Sequence, residues 1–110
     1  MDREAAESSF EGLAVVQSGH AGVERRRMFG REGLEVNGKF FAFLDADRLL
    51  LKLPQAKRDA LLAEGHATSA VLVSPTMHKW VAIPYASRAA DWEALTDEAR
   101  QFVAQSAELT

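Results

Sequence analysis

Cysteine is absent from the 110 residues of this sequence, which excludes a disulfide framework, a thiolate nucleophile, an iron–sulfur cluster and the usual structural zinc sites. Long apolar runs are absent as well, and the start of the chain is acidic, with Asp2, Glu4, Glu7 and Glu11. Neither a membrane-spanning segment nor a signal peptide is therefore predicted. We expect a protein of a reducing compartment, the cytoplasm.

Glycine and proline are scarce, with seven and three residues, while 47% of the residues are hydrophobic and 26% are charged. This composition excludes intrinsic disorder and collagen-like or low-complexity architectures. The chain is long enough for one hydrophobic core and too short for a second independently folded unit. We expect a single domain over residues 1–110.

The charges are unevenly distributed along a chain whose formal net charge is -3. Both ends are acidic, whereas residues 24–58 contain nine basic and five acidic residues, led by Arg25, Arg26, Arg27 and Arg31. Such a basic stripe can bind phosphate groups or an acidic partner through Coulomb attraction and counterion release. The alternative is a solvated edge strand with Arg25 and Arg27 on one face and Arg26 on the other. The acidic balance of the whole chain favours this alternative.

Hydrophobic periodicity predicts a first helix from about Glu4 to Gln17. Its apolar positions share one face: Ala6, Phe10, Leu13 and Ala14. Strand patterns follow at Val23–Phe29, Leu34–Val36 and Lys39–Leu44. Asn37-Gly38 lies between the last two and is the strongest short hairpin signal, because both central residues of a type I′ turn need a positive φ.

The strand from Lys39 to Leu44 is apolar on both faces, which predicts a central place in the sheet. Simple alternation turns one set of side chains, Phe40, Ala42 and Leu44, to one face and the other set, Phe41 and Phe43, to the opposite face. Helices cover one sheet face, and a second subunit is a natural cover for the other. We therefore predict a homodimer.

The second half of the chain continues this alternation of strands and helices. After a turn at residues 45–47, the segment from Arg48 to Leu53 buries one face, and Pro54 begins a helix that ends near Gly65. Strand patterns recur at residues 71–73 and 77–83. The terminal helix carries apolar residues at helical spacing and a threonine that can cap it: Trp92, Leu95, Ala99, Phe102, Val103 and Thr96.

These elements predict an α+β fold. The expected order is a helix, three strands, a helix, two strands and a helix. Strands joined by tight hairpins are antiparallel, and amphipathic helices need a sheet face to cover. The sequence thus predicts a two-layer sandwich in which helices cover one face of an antiparallel sheet of about five strands.

Few residues form patterns that indicate chemistry. Gly30 and Gly33 have the GxxG spacing of KH domains, but the flanking strand patterns favour a bulge or a sharp bend. The three histidines and the serines lie at positions without metal-ligand, nucleophile-elbow or SxxK spacing. We therefore predict no catalytic residue, no metal and no cofactor.

Trp80 follows Lys79 on the predicted strand before Pro84. An exposed tryptophan beside a lysine can stack on a nucleic-acid base or a ligand ring. A core or dimer-interface position is the alternative that tryptophan favours. Trp80 and Lys79 thus join the four arginines of the basic stripe as candidate contacts to a partner or to nucleic acid.

Several short motifs follow one another along the chain: Arg26-Arg27-Met28-Phe29-Gly30, then Gly33, the hairpin Asn37-Gly38-Lys39, Phe41-Ala42 and Leu51-Lys52. Later come Met77-His78-Lys79-Trp80-Val81, Pro84 and the helix of Trp92. In order and spacing these motifs resemble the N-terminal domain of the TfoX/Sxy family of bacterial competence regulators. The resemblance covers roughly residues 24–104, and its most specific part is Arg-Met-Phe-Gly before a glycine-bearing hairpin.

The resemblance implies an α+β fold with one antiparallel sheet and a regulatory function without catalysis. The namesake regulators act with a cyclic-AMP-responsive transcription activator, through protein partners more than through strong DNA binding. They carry a second, C-terminal helical domain that these 110 residues do not contain, so we expect a single-domain member. The sequence departs from the family pattern at Gly30-Arg31, where many members have Gly-Gly, and in the short loop Ser74-Pro75-Thr76.

We therefore predict a non-enzymatic module for regulation or protein interaction, with a transcriptional protein as one candidate partner. Two alternatives stay open. The first is a module that binds nucleic acid directly, or an acidic partner, through the stripe from Arg25 to Arg31. The second is a small-molecule site or an enzyme, which would need a deep pocket lined by His78 and Trp80.

Overall fold

The computed structural model describes residues 2–28, 30–69 and 80–108. The helices of this part are α1 (Asp2–Ser18), α2 (Gln55–Ala63), α3 (Tyr85–Arg88) and α4 (Trp92–Glu108), and a 3-10 turn spans Ala89–Asp91. The strands are β1 (Val23–Met28), β2 (Arg31–Val36), β3 (Lys39–Asp45), β4 (Arg48–Lys52), β5 (Thr68–Ser69) and β6 (Trp80–Pro84). None of the described helices combines the length and the apolar character that crossing a bilayer requires.

The described strands form one antiparallel sheet in the order β1-β2-β3-β4-β6-β5. The predicted α+β fold with about five strands is confirmed, since β5 adds only two residues. Four strands precede α2, where three were predicted, because the alternating segment from Arg48 pairs with both β3 and β6. The predicted strand at 71–73 and the start of the one at 77–83 lie outside the described residues.

Local sequence signals explain most turns and helix ends. Asn37 and Gly38 have φ values of 53° and 84°, which confirms the predicted type I′ turn. Gly65 has a φ of 77°, and it ends α2 as predicted, because His66 donates its backbone N–H to the Leu61 carbonyl at 3.1 Å. Pro54 is the residue that precedes the first turn of α2.

The terminal helix begins earlier than its predicted cap. Thr96 lies inside α4 and is fully buried, and its hydroxyl donates to the carbonyl of Trp92 at 2.6 Å. The prediction that Thr96 caps the helix was wrong, because the hydrogen bond satisfies the hydroxyl within the helix itself. Trp92 therefore belongs to the first turn of α4.

The main hydrophobic core lies between the helices and one face of the sheet, as predicted. It contains the predicted apolar face of α1, one residue of α2, the apolar positions of α4, and strand residues such as Leu34, Leu49, Leu51 and Ile83. The α2 helix contributes only Leu61, and its neighbours Ala60 and Ala63 are exposed, although periodicity predicts that they share the apolar side of the helix. We call this cluster the helix-side core.

A β-bulge in β3 changes which aromatic side chains share a face. Leu34 of β2 pairs with Ala42, and the next residue of β2 pairs with Phe40, so Phe41 is the extra residue. Phe41 consequently packs with Ala42 in the helix-side core, while Phe40 packs with Phe43 on the opposite face. The predicted alternation was wrong for Phe40 and Phe41, because it assumed an unbroken pleat.

The sheet face away from the helix-side core carries a second, smaller cluster. Among the described residues its members all come from strands: Phe43, Leu50, Trp80 and Ala82, with Phe40 packed against them. All four principal members are buried within the single chain, at 0% to 6% exposure. The homodimer was predicted because an apolar sheet face would otherwise be uncovered. Since these side chains are already buried within one chain, that reason no longer applies. The oligomeric state itself stays a prediction.

Candidate functional site

A cleft of about 590 Å³ lies between α1, the β1–β2 hairpin and the β3–β4 turn. Its lining includes four basic and four acidic residues: Arg3, Arg25, Arg27, Arg31, Glu7, Glu11, Glu32 and Asp45. Phe10 and Leu44 supply its apolar lining, and Gly30 and Ala46 belong to its turns. We call this site the charged cleft. Its formal charge is balanced even though the basic stripe forms one of its walls.

The three consecutive arginines lie on β1, which is an edge strand of the described sheet. In the described sheet β1 pairs with β2 alone, and every residue of β1 after Val23 is exposed. Arg25 and Arg27 line the charged cleft, whereas Arg26 pairs with Glu35 outside it. The predicted edge strand, with Arg25 and Arg27 on one face and Arg26 on the other, is confirmed.

Arg25 joins the edge strand to α1. It donates from Nη1 to Oε2 of Glu11 at 2.7 Å and from Nη2 to Oε1 of Glu11 at 3.2 Å. This forked geometry is the strong form of a guanidinium–carboxylate pair. The hydrogen bond from Arg25 lowers the pKa of Glu11, and the same bond raises the pKa of Arg25. Both groups therefore stay charged over a wide pH range.

Arg27 and Glu32 form the looser part of the charged cleft. Arg27 donates from Nη1 to Oε1 of Glu32 at 3.2 Å and from Nη2 to the Gly30 carbonyl at 3.4 Å. Glu32 also accepts a hydrogen bond from Arg25 at 3.4 Å. The Arg27 side chain remains 67% exposed. Each arginine holds Glu32 by one such contact, whereas the guanidinium of Arg25 holds Glu11 by two bonds, the shorter of 2.7 Å. Because single contacts are weaker than a forked pair, Glu32 is held less firmly than Glu11.

Asp45 at the β3–β4 turn accepts hydrogen bonds from two guanidinium groups. Arg31 donates from Nε to Oδ1 of Asp45 at 3.0 Å, and Arg48 donates to the other carboxylate oxygen. Burial raises the pKa of Asp45, but the hydrogen bonds from Arg48 and Arg31 outweigh it and hold the pKa below its usual value. Ala46 follows with a φ of 56°, which is a strained backbone conformation for alanine.

Arg26 has a buried partner that the sequence interpretation missed. Its Nη1 donates to Oε2 of Glu35 at 3.2 Å, and the Glu35 side chain is 5% exposed while that of Arg26 is 63% exposed. A carboxylate this deeply buried needs a compensating charge. This pair could be predicted only once the register of β1 and β2 was known. In that register Arg26 lies directly opposite Gly33, and the next pair on the same face is Glu24–Glu35, so Arg26 lies diagonal to Glu35.

The remaining candidate contacts do not gather at the charged cleft. Trp80 is 6% exposed, and its ring centroid lies 5.4 Å from that of Phe43. The core position predicted as the alternative is confirmed, and stacking of Trp80 on a base is wrong because its ring already packs in the chain. Lys79, His78 and Phe29 lie outside the described residues. Met28 is 38% exposed at the end of β1.

Gly33 has a packing role beside the site. A Cβ atom at this position would lie 2.8 Å from Cε1 of Phe40 and 2.8 Å from Cε1 of Phe43. Such distances are far shorter than van der Waals contact, so only glycine lets both rings cover this point of β2. The predicted bend at the GxxG segment is the turn at Gly30, with a φ of 72°.

The sequence interpretation also missed the acidic wall of the charged cleft. Glu7 and Glu11 lie on the exposed side of α1, where helical spacing predicts contact with water alone. Their approach to the arginines depends on how α1 packs on the sheet, which no local pattern shows. Among the described residues, no three histidine, aspartate or glutamate side chains gather as metal ligands.

Comparison with known proteins agrees with the resemblance of the motifs. The family model of the TfoX N-terminal domain matches residues 16–109. No curated protein and no solved structure matches the chain significantly. The matched range contains the whole described sheet and the arginines that line the charged cleft on β1 and β2. The chain belongs to the TfoX N-terminal domain family.

Proposed function

We propose that the chain is a cytoplasmic, non-enzymatic interaction module that acts in regulation and binds a protein partner at the charged cleft and the edge of β1. The observation that carries the proposal is the exposed edge strand whose arginines are presented in ion pairs at a cleft of balanced charge. Membership of a family named for regulators supports the regulatory part of the proposal.

Exposed ion pairs suit recognition because they exchange partners at little cost. Arg27 and Glu32 are held by contacts of 3.2–3.4 Å and are both accessible. A partner with complementary charges can replace these pairs with its own, and such complementarity sets specificity and association rate more than raw affinity. The tighter Arg25–Glu11 pair meanwhile keeps the strand and α1 in place.

The pKa directions in the charged cleft oppose acid–base catalysis. A general acid or base is most effective when its pKa lies near the operating pH. The pKa values of Glu11 and Asp45 are instead lowered by their guanidinium partners. Both carboxylates are thus held ionised as counterions, which supports a role in recognition.

Direct binding of nucleic acid is a weaker second interpretation of the same surface. A phosphate backbone that approached Arg25 and Arg27 would also meet Glu11 and Glu32, which already neutralise them. Asp45 neutralises Arg31 in the same way. A protein segment can place both signs of charge where they are needed, whereas a nucleic acid presents one sign throughout.

Site-specific photo-crosslinking in cells tests the proposal. Met28 on the edge strand and Leu62 on α2 are both 38% exposed, so benzophenone side chains at these two positions form a matched pair. We expect a discrete protein adduct from position 28 and none from position 62. The Arg27→Gln substitution should reduce the yield of the adduct several-fold, and Lys57→Gln should leave it unchanged. Equal adducts at both positions, or an adduct whose yield Arg27→Gln does not reduce, would contradict the proposal.

A further inference from the structure

The structure points to a particular kind of partner for the edge strand, and this inference rests on the proposed function. We propose that β1 binds an extended protein segment that adds to the sheet as a further antiparallel strand. The segment carries acidic residues opposite Arg25, Arg26 and Arg27 and a basic residue opposite Glu24.

Backbone geometry provides the first argument. In an antiparallel ladder, alternate residues turn their backbone groups toward the partner strand, and the residues between turn theirs away. Because β1 pairs with β2 alone in the described sheet, half of its backbone groups face the open edge. A strand added at such an edge gains affinity from main-chain hydrogen bonds and specificity from its side chains.

Charge order provides the second argument. Directly opposite residues of paired strands share a face, and opposite charges there are stabilising while like charges are destabilising. The order from Val23 to Met28 is apolar, acidic, three basic and apolar. The complementary antiparallel segment therefore reads apolar, three acidic, basic and apolar. Two copies of β1 in full antiparallel overlap would place Glu24 opposite Arg27 at both ends but Arg25 opposite Arg26 twice in the middle. A second copy of this chain therefore leaves two like-charge pairs that the acidic segment avoids.

Glu32 provides the third argument, because it is the residue of β2 directly opposite Arg27 and already holds that guanidinium from the paired side of β1. It bridges Arg27 at 3.2 Å and Arg25 at 3.4 Å through single contacts. Glu11 binds Arg25 with two bonds, the shorter of 2.7 Å, so it remains in place. An incoming carboxylate would displace Glu32 from Arg27, and Glu32 would thus compete with the partner.

Fluorescence anisotropy with a labelled peptide Val-Glu-Glu-Glu-Lys-Val tests the inference on the full chain. The control peptide Glu-Val-Lys-Glu-Val-Glu has the same composition and charge in another order. We expect the first peptide to bind at least about fivefold more tightly, which corresponds to roughly 1 kcal/mol. Methylation of its alternate backbone nitrogens should abolish binding. Equal binding of both peptides, or binding that methylation does not change, would overturn the inference.

Substitutions in the chain test whether the peptide binds at the edge of β1. Arg27→Gln should weaken binding about fivefold and Glu32→Gln should strengthen it by a similar factor, since each removes one charge of the exposed Arg27–Glu32 pair. Lys57→Gln removes the same charge from α2 and should change affinity less than about twofold. An equal loss from Lys57→Gln would overturn the inference. If the peptide does not bind but the adduct at position 28 still depends on Arg27, the inference is overturned. That result would leave the proposed function standing.

Discussion

The rings of Phe40 and Phe43 stack over Gly33 with their centroids 4.6 Å apart and an angle of 27° between their planes. The two residues are three apart in one strand, and in a regular strand they would lie on opposite faces. They share a face here because Phe41 is the extra residue of a bulge. The bulge therefore decides which aromatic ring enters which core.

Gly33→Ala tests the close approach of these two rings. The added methyl group would lie 2.8 Å from both of them, so we expect a loss of about 1–3 kcal/mol in the free energy of unfolding. Gly12→Ala is the control, because a Cβ atom added there would meet no described atom within 4 Å beyond its chain neighbours and the backbone of α1, and helix propensity predicts a gain of about 1 kcal/mol. Chemical denaturation measures both. A neutral Gly33→Ala would contradict the stacked geometry.

Phe41→Ala and Phe40→Ala together test the bulge. Phe41 is fully buried in the helix-side core, so its truncation should cost about 3–5 kcal/mol. Phe40 is only partly buried against the smaller cluster, and its truncation should cost clearly less. Urea unfolding of both variants gives the comparison. A larger loss for Phe40→Ala would mean that the two rings are assigned to the wrong faces.

Ala46→Gly tests the strain at the β3–β4 turn. Ala46 has a φ of 56°, which costs an L-residue with a Cβ atom roughly 1–2 kcal/mol and costs glycine little. After allowing for the greater entropy of glycine in the unfolded chain, we expect a net gain of up to about 1 kcal/mol in thermal or urea unfolding. Ala60→Gly on the exposed side of α2 should instead lose about 1 kcal/mol. Destabilisation by Ala46→Gly would show that the turn is unstrained.

Asp45→Asn tests the lowered pKa at the same turn. Because the pKa of Asp45 is lower in the folded chain, the unfolded state binds this proton more tightly, and its ionised form stabilises the fold above the unfolded pKa of about 3.9. That stabilisation is lost as the pH falls through the folded value. The free energy of unfolding should therefore fall less steeply below about pH 4 in Asp45→Asn than in the wild type. Parallel curves would contradict the assignment.

Much of the fold could be predicted from periodicity and turn chemistry, because those signals are local. The Asn37-Gly38 turn, the end of α2 at Gly65 and the edge position of β1 follow from such patterns. The bulge at Phe41 could not be predicted, because its cause is the register between β2 and β3. The family pattern was recognisable for a different reason, since it depends on the order of motifs along most of the chain.

The candidate site was only half predictable. The arginines of the basic stripe are visible as a charge run, and their alternation on a strand follows from the period of two. Their partners Glu11 and Asp45 come from a helix and a distant hairpin, so the pairing depends on tertiary packing. The basic residues of the charged cleft could therefore be predicted from the sequence, whereas the acidic residues that pair with them could not.

Quantitative capture of partners by the intact chain measures whether Arg27 on the edge strand contributes to binding. The comparison is between wild type, Arg27→Gln and Lys57→Gln, whose stabilities should agree within about 0.5 kcal/mol because both are exposed substitutions. We expect wild type and Lys57→Gln to retain a specific protein partner equally and Arg27→Gln to retain several-fold less of it. Equal retention of that partner by all three proteins would contradict the proposed interface.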